Sequence, residues 1–150
     1  MFYDNIRLLQ EPGTKESLPK LEPIPSPMDN TGVVRIVFPE FTCVCPKTGY
    51  PDFGSIELYY QPDTSMVELK SWKLFLNAFR MIGTYHEEVT HFIFTHLCEQ
   101  LSPTWAMVTG DFFPRGNVDT TVVFETPVQR PHGADTLLLR HTPHTRSYHG

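Results

Sequence analysis

Hydrophobic positions change their period twice along the chain. Val33 to Phe38 is a β-branched run, and Ser55 to Tyr60 alternates apolar with small or polar residues before a Gln61-Pro62-Asp63 turn, so both are expected as strands paired around the intervening loop. From Val67 to Ile82 the spacing moves to steps of three and four: Leu69, Trp72, Phe75, Leu76, Phe79 and Ile82 make one helical face and Lys70, Lys73, Asn77 and Arg80 the other. Gly83 is expected to stop that helix. A second helix is expected from Tyr85 to Leu101, with Val89, Phe92, Ile93, Leu97 and Leu101 inward and Pro103 ending it. Trp105 to Asp111 and Asn117 to Thr126 return to strand, joined by the turn Phe113-Pro-Arg-Gly116.

Strand, strand, helix, helix, strand, strand is an α+β order. It predicts an antiparallel sheet carrying both helices on one face, with the other face left to meet a partner. Before it, residues 1–32 are rich in Pro, Glu, Lys and Ser without either period, and are expected as an arm lying over the surface. After the domain at 33–130, the tail 131–150 holds His132, His141, His144 and His149; without cysteine or carboxylate neighbours at ligand spacing it is expected as a solvated tail, and no metal is expected.

Bulk properties narrow the classes. A chain of 150 residues suits one domain with a real core. No apolar run is long enough to cross a bilayer, and Met1 to Arg7 has no basic region followed by an apolar one, so the cytosol is the expected compartment and no membrane partner is expected. Three cysteines, two of them Cys43 and Cys45, argue for free thiols. A formal net charge of -5 argues against general nucleic-acid binding, although a small anion could still find a local basic patch.

Candidate chemistry concentrates in Phe38-Pro-Glu-Phe-Thr-Cys43-Val-Cys45-Pro-Lys-Thr-Gly-Tyr-Pro-Asp52-Phe. A thiol at Cys45 and a carboxyl at Asp52 can face each other across its turn, as nucleophile and proton donor. On spacing alone the ordinary readings compete: an inert buried thiol, a first-turn carboxylate at Glu87 that suits the helix dipole, a surface histidine at His86, and a solvated helix face for Lys70 and Lys73. There is no Gly-x-Gly-x-x-Gly after a strand, so no Rossmann site is expected.

The loop Phe41 to Phe53, the run Glu68-Leu-Lys-Ser-Trp-Lys-Leu-Phe75, the pair His86-Glu87 and the turn Phe113 to Gly116 occur in one order. Together they resemble the QueF-type nitrile reductase family, over about Val33 to Thr126. The second run matches the family pattern of Glu, Ser or Leu, Lys, Ser or Ala, apolar, Lys, Leu or Tyr, and aromatic. The resemblance implies a tunnelling fold (ββααββ) whose copies join their sheets into an oligomeric barrel, as two stacked pentamers, with sites between subunits. It implies reduction of the nitrile of 7-cyano-7-deazaguanine to 7-aminomethyl-7-deazaguanine with two NADPH, in queuosine biosynthesis for transfer RNA modification.

Residue by residue, the resemblance assigns Cys45 as the nucleophile that forms a covalent thioimide and Asp52 as the general acid. It assigns Val67, Glu68, Leu69, His86 and Glu87 to the deazaguanine, and Lys70, Lys73, Arg80 and Arg115 to NADPH phosphates. Cys43, where the family commonly has Ser, is expected to turn its side chain away from Cys45, and Tyr50 stands where the family usually has Gln. The rival readings are an amidinotransferase, whose relatives lack the NADPH run, and a pterin- or purine-binding tunnelling-fold protein. A cyclohydrolase would want a zinc set, for which Cys98, His91 and His96 are the one tempting cluster.

Overall fold

The structure, a computed structural model, describes residues 18–140. Its elements in order are β1 (Pro23–Pro25), β2 (Val34–Val44), β3 (Pro51–Gln61), β4 (Ser65–Val67), α1 (Leu69–Asn77), a 3-10 turn (Ala78–Met81), α2 (His86–Leu101), β5 (Trp105–Arg115), β6 (Val118–Glu125) and α3 (Ala134–Arg140). The long strands form one antiparallel sheet in the order β2-β3-β5-β6, and β1 pairs with β4 in a small second sheet. The α+β class therefore holds, and the ββααββ order with it, once the short pair β1 and β4 and the terminal helix α3 are added.

Alternation along the strands decides which face is buried. Leu58, Ile56, Ala106, Val108 and Phe112 point to one side, where Trp72, Phe75 and Leu76 of α1 and Val89, Ile93 and Leu97 of α2 close a single core. Helix α2 can dock closely because Gly110 leaves room for the Thr90 hydroxyl, which a Cβ at that position would strike. That hydroxyl donates to the carbonyl of His86 at 2.7 Å, fixing the start of α2 over the sheet.

Four expectations need correcting. Leu69 is not inward: it is 62% exposed, because the buried stripe of α1 runs through Ser71, Trp72, Phe75 and Leu76 and leaves the first residue at its margin. Val67 belongs to β4, the helix beginning only after Glu68, whose carboxylate accepts from the N–H groups of Lys70 and Ser71. The described part of the N-terminal arm is tied in: Leu18 and Leu21 are buried, the Leu21 N–H donates to Gln100, and the Glu22 N–H donates to Ser71. Near the other end, Ala134, Leu137 and Leu138 share a helical face and pack under the sheet on Tyr59, Trp105 and Met107, so that end of the second face is covered from within the chain. His132 is exposed, and His141, His144 and His149 lie outside the described residues.

Candidate active site

Cysteine 45 sits where β2 ends, and the loop that follows folds back onto it. The Cys45 N–H donates to the Tyr50 carbonyl at 2.8 Å, and the Gly49 N–H donates to the Cys45 carbonyl at 2.9 Å. Gly49 has φ 76°, the left-handed region that glycine enters without a Cβ penalty, so the loop can close this tightly. Its donors favour the charged form of the sulfur: the Thr48 hydroxyl first, then the Arg115 guanidinium and the backbone N–H groups of Thr48 and Lys47. Burial of this 7% exposed residue pushes the thiol up, but those hydrogen bonds outweigh it and bring it from 9.0 down to about 7.

Asp52 lies in β3 directly opposite Cys43 and is 6% exposed. One carboxylate oxygen meets Nη1 of Arg115 at 2.9 Å, and the other meets Nε2 of His86 at 3.2 Å. The imidazole of His86 stacks on Phe112, with ring centroids 3.9 Å apart and planes within 3°. Arg115 arrives through the β5–β6 hairpin, whose two-residue tip Gly116-Asn117 has φ 60° and 66°, the signature of a tight turn that matches strand twist. Four side chains, from the loop after β2 and from β3, α2 and β5, thus meet at one end of the sheet: Cys45, Asp52, His86 and Arg115.

Cys43 does not turn away as expected. The Cys43 thiol feels the charges of Asp52, Cys45 and Arg115, so it lies beside the same cluster as Cys45. What separates the two thiols is solvation, not direction. Cys43 is fully buried with only a 4.0 Å contact to the Thr84 carbonyl, and burial, reinforced by the charges of Asp52 and Cys45, pushes it up to about 12.

The remaining expected site residues fall elsewhere. Glu87 is exposed on the first turn of α2, beside His86. Arg80 lines a groove of about 410 Å³ with Thr42, Val44, Gly49, Pro51, Phe53 and Met81, next to the cysteine loop. Val67, Glu68 and Leu69 lie toward the opposite end of the sheet, where the Tyr60 hydroxyl accepts from the Val67 N–H. Asp52 and Tyr60 are eight strand residues apart, roughly 25 Å, so one chain does not bring the Glu68 segment to Cys45. Near that segment Leu69 and Lys73 line a groove of about 370 Å³ against Ile36 to Glu40, and the indole N–H of Trp72 on its wall is buried without an acceptor. His91 packs on Phe124 and His96 on Phe75, and among the described residues no group of three His, Cys, Asp or Glu comes together as a metal site. The link from Arg115 to Asp52 and Cys45 was the main feature missed. The strand register could have found it, since the Gly54 and Phe112 pairing carries the next residues of β5 past Asp52.

The family model described as "QueF-like protein" matches residues 51–131. A protein of Aquifex aeolicus named NADPH-dependent 7-cyano-7-deazaguanine reductase is 50% identical over 100 residues, which are 67% of this chain and 77% of that one. A protein of Campylobacter jejuni with the same name is 45% identical over 98 residues, 65% of this chain and 77% of its own. The crystal structure of the archaeosine synthase QueF-Like in the apo form superposes with a TM-score of 0.61 at 20% identity, covering 65% of this chain and 96% of that one, a likeness of fold. No helix among the described residues is long and apolar enough to cross a membrane. With over half its length matched by the family model and about three quarters of these reductases spanned at near-half identity, the chain belongs to the QueF-like protein family.

Proposed function

We propose that this protein is an NADPH-dependent oxidoreductase that reduces the nitrile of 7-cyano-7-deazaguanine to the primary amine 7-aminomethyl-7-deazaguanine. The observation that carries the reading is the Cys45 thiol, brought to about 7 within reach of a cation that also grips a buried carboxylate. A nitrile carbon is a poor hydride acceptor, and a thiolate that bonds it first makes a better one. Cys45 Sγ bonds the carbon, one C–N π bond opens, and the nitrogen takes a proton from Asp52, which received it from the thiol. The product is a covalent thioimide on Cys45. His86 holds the second oxygen of Asp52, so the carboxyl group keeps its orientation through both transfers.

The cofactor reading rests on the groove beside α1, where Lys73 supplies charge and Leu69 and Trp72 an apolar wall. Lys70 and Lys73 would hold the phosphates there, with Arg80 a further cation near the cysteine loop. NADPH supplies two hydrides in succession, which with one proton convert the thioimide to the amine as the C–S bond breaks and Cys45 returns as thiolate. Arg115 is engaged by Asp52 and Cys45, which makes it a cation of the reacting centre first.

The deazaguanine cradle pairs His86 and Glu87 near Cys45 with Val67, Glu68 and Leu69 from the far end of another copy. The roughly 25 Å between the two ends of one chain favours this arrangement, and the free edges of β2 and β6 offer the join. Two stacked pentameric rings are the assembly proposed, in the cytoplasm, with the product used for queuosine in transfer RNA.

Two measurements test the reading. Purified protein should oxidise NADPH only when 7-cyano-7-deazaguanine is present. Without NADPH, the intact mass should rise by that of the nitrile, and no such rise in Cys45→Ala. A wild-type spectrum with no adduct would remove the thioimide.

A further inference from the structure

We propose that residues 18–26 form a strap that Gln100 holds against α2, and that a proton taken up by His96 releases it. Leu18 and Leu21 of this segment are buried in the main core. The Leu21 N–H donates to Oε1 of Gln100 at 2.9 Å, and the Glu22 N–H donates to the Ser71 hydroxyl at 2.9 Å. In turn the Glu22 carbonyl accepts from the Glu68 N–H at 2.9 Å, and β1 pairs with β4 from Pro23 and Val67 to Pro25 and Ser65. The strap therefore positions the Glu68 segment. Any consequence for the deazaguanine rests on the function proposed above, whereas the strap stands on geometry that needs no substrate.

Hydrogen-bond direction makes this seat sensitive to protons. Because the Leu21 N–H takes the oxygen of Gln100, the amide nitrogen of Gln100 faces Nε2 of His96, 3.0 Å away. That ring nitrogen must accept, so the imidazole is neutral and carries its proton on Nδ1. Near-parallel stacks on Phe75, at 4.8 Å and 11°, and on Phe92, at 5.6 Å and 14°, hold the ring in its plane. A proton on Nε2 sets donor against donor. Gln100 relieves this by turning its amide over, which gives its oxygen to His96 and leaves the Leu21 N–H without an acceptor.

Burial holds His96 below the ordinary 6.5 against the charge of Glu99 on the same helix. Beside it on α2, Cys98 is a neutral thiol that burial pushes up. Lys20 and Glu22 of the strap, and Lys70 and Lys73 of α1, are exposed, and α1 presents the Phe75 ring to the imidazole. A ring that lies below 6.5 while the strap is seated, and returns toward 6.5 when it leaves, binds a proton better in the released state. The seat is therefore full above 6.5 and weakens as pH falls through the seated value.

The experiment is hydrogen exchange of the full chain, read by mass spectrometry on peptide 18–26 across the His96 titration and corrected for the intrinsic pH dependence of exchange. The midpoint of His96 comes from its own NMR titration. Strap protection should fall with that midpoint, by about tenfold for each unit by which it lies below the ordinary value, while β5 peptides stay unchanged. His96→Phe keeps a ring in the stack but cannot titrate, so its strap protection should be flat across the same range; His91→Asn should respond as wild type. Strap protection that ignores the His96 midpoint, or a pH response retained in His96→Phe, overturns the proposal. If His96→Phe does not fold, the ring nitrogen shifts of wild type decide: above the midpoint Nε2 should be unprotonated, and a proton on Nε2 overturns the proposal. A strap that responds as expected in a protein that reduces no nitrile would instead remove the proposed function and leave the strap standing.

Discussion

The two ends of the four-stranded sheet are built from the same strands and do opposite work. At the Tyr60 and Trp105 end the large side chains of the strands are buried, and α3 closes the second face over Tyr59, Trp105 and Met107. At the Asp52 and Arg115 end a thiol, a carboxylate, an imidazole and a guanidinium are packed together, and Tyr50, Phe53, Tyr85 and Phe113 stand exposed around them. The sheet at the first end is covered on both faces from within the chain. The other end holds strong mutual electrostatics beside apolar surface that the described residues leave uncovered, as expected of a site completed by ligand and partner.

The contrast is sharpest between Cys43 and Cys45, which lie two residues apart yet differ from about 12 to about 7. Only the second has a ring of donors. Cys45→Ala should therefore abolish nitrile-dependent NADPH oxidation, a loss of more than about 1,000-fold, whereas Cys43→Ala should keep most of it. Equal losses would mean that the donor loop does not select the nucleophile. Next in size is Asp52→Asn, which keeps the shape but can neither take nor return the thiol proton. A fall of about 100-fold or more in turnover, with adduct formation slowed rather than KM raised, is expected for a general acid and base. A loss confined to KM would make Asp52 a binding group alone.

Much of this end was legible in the residues, and the reasons differ element by element. The turn residues of the Cys45 loop marked its position because Pro and Gly act locally, whereas the turn expected at Phe113 to Gly116 falls at Gly116 and Asn117, with Phe113 to Arg115 still in β5. The helices were legible because a buried stripe repeats at their own period. What the sequence could not display were pairings between distant segments. The side on which Cys43 points follows from strand period and could have been read correctly; that Arg115 meets Asp52 depends on register across β3 and β5. The short β1 strand hid in a Pro-rich stretch because its order comes from β4 and from Gln100 and Ser71, not from its own pattern. Helix α3 was obscured by the histidine-rich residues around it, although Ala134, Leu137 and Leu138 already carried a helical spacing.

Mixed oligomers test whether the two ends of different copies meet. Co-expressed Cys45→Ala and Glu68→Ala chains, each inactive alone, should recover about a quarter of wild-type activity if every site draws Cys45 from one copy and Glu68 from its neighbour, since random mixing leaves about one interface in four intact. No recovery in a mixed assembly verified by mass would place both residues in a site within one chain, against the distance between them.

The smallest expected effect lies at the far end, where Glu68 has a structural task besides its proposed one. Its carboxylate accepts at 2.8 Å from the N–H groups of both Lys70 and Ser71, and these bonds hold it below the 4.5 of an ordinary glutamate. A carboxyl depressed in the folded state binds fewer protons there than in the unfolded chain around pH 4. Its contribution to stability is therefore present above the ordinary glutamate value and lost as pH falls through the folded one. Glu68→Gln keeps an acceptor for the helix start but has no proton to gain. The difference in Tm between wild type and Glu68→Gln should be positive at pH 6 and shrink as pH falls below about 4.5, by only a few degrees at most because the group is exposed. A difference that stays constant across that range would show that the cap works through shape alone, and the two ends of the sheet would then differ in electrostatics even more than the geometry implies.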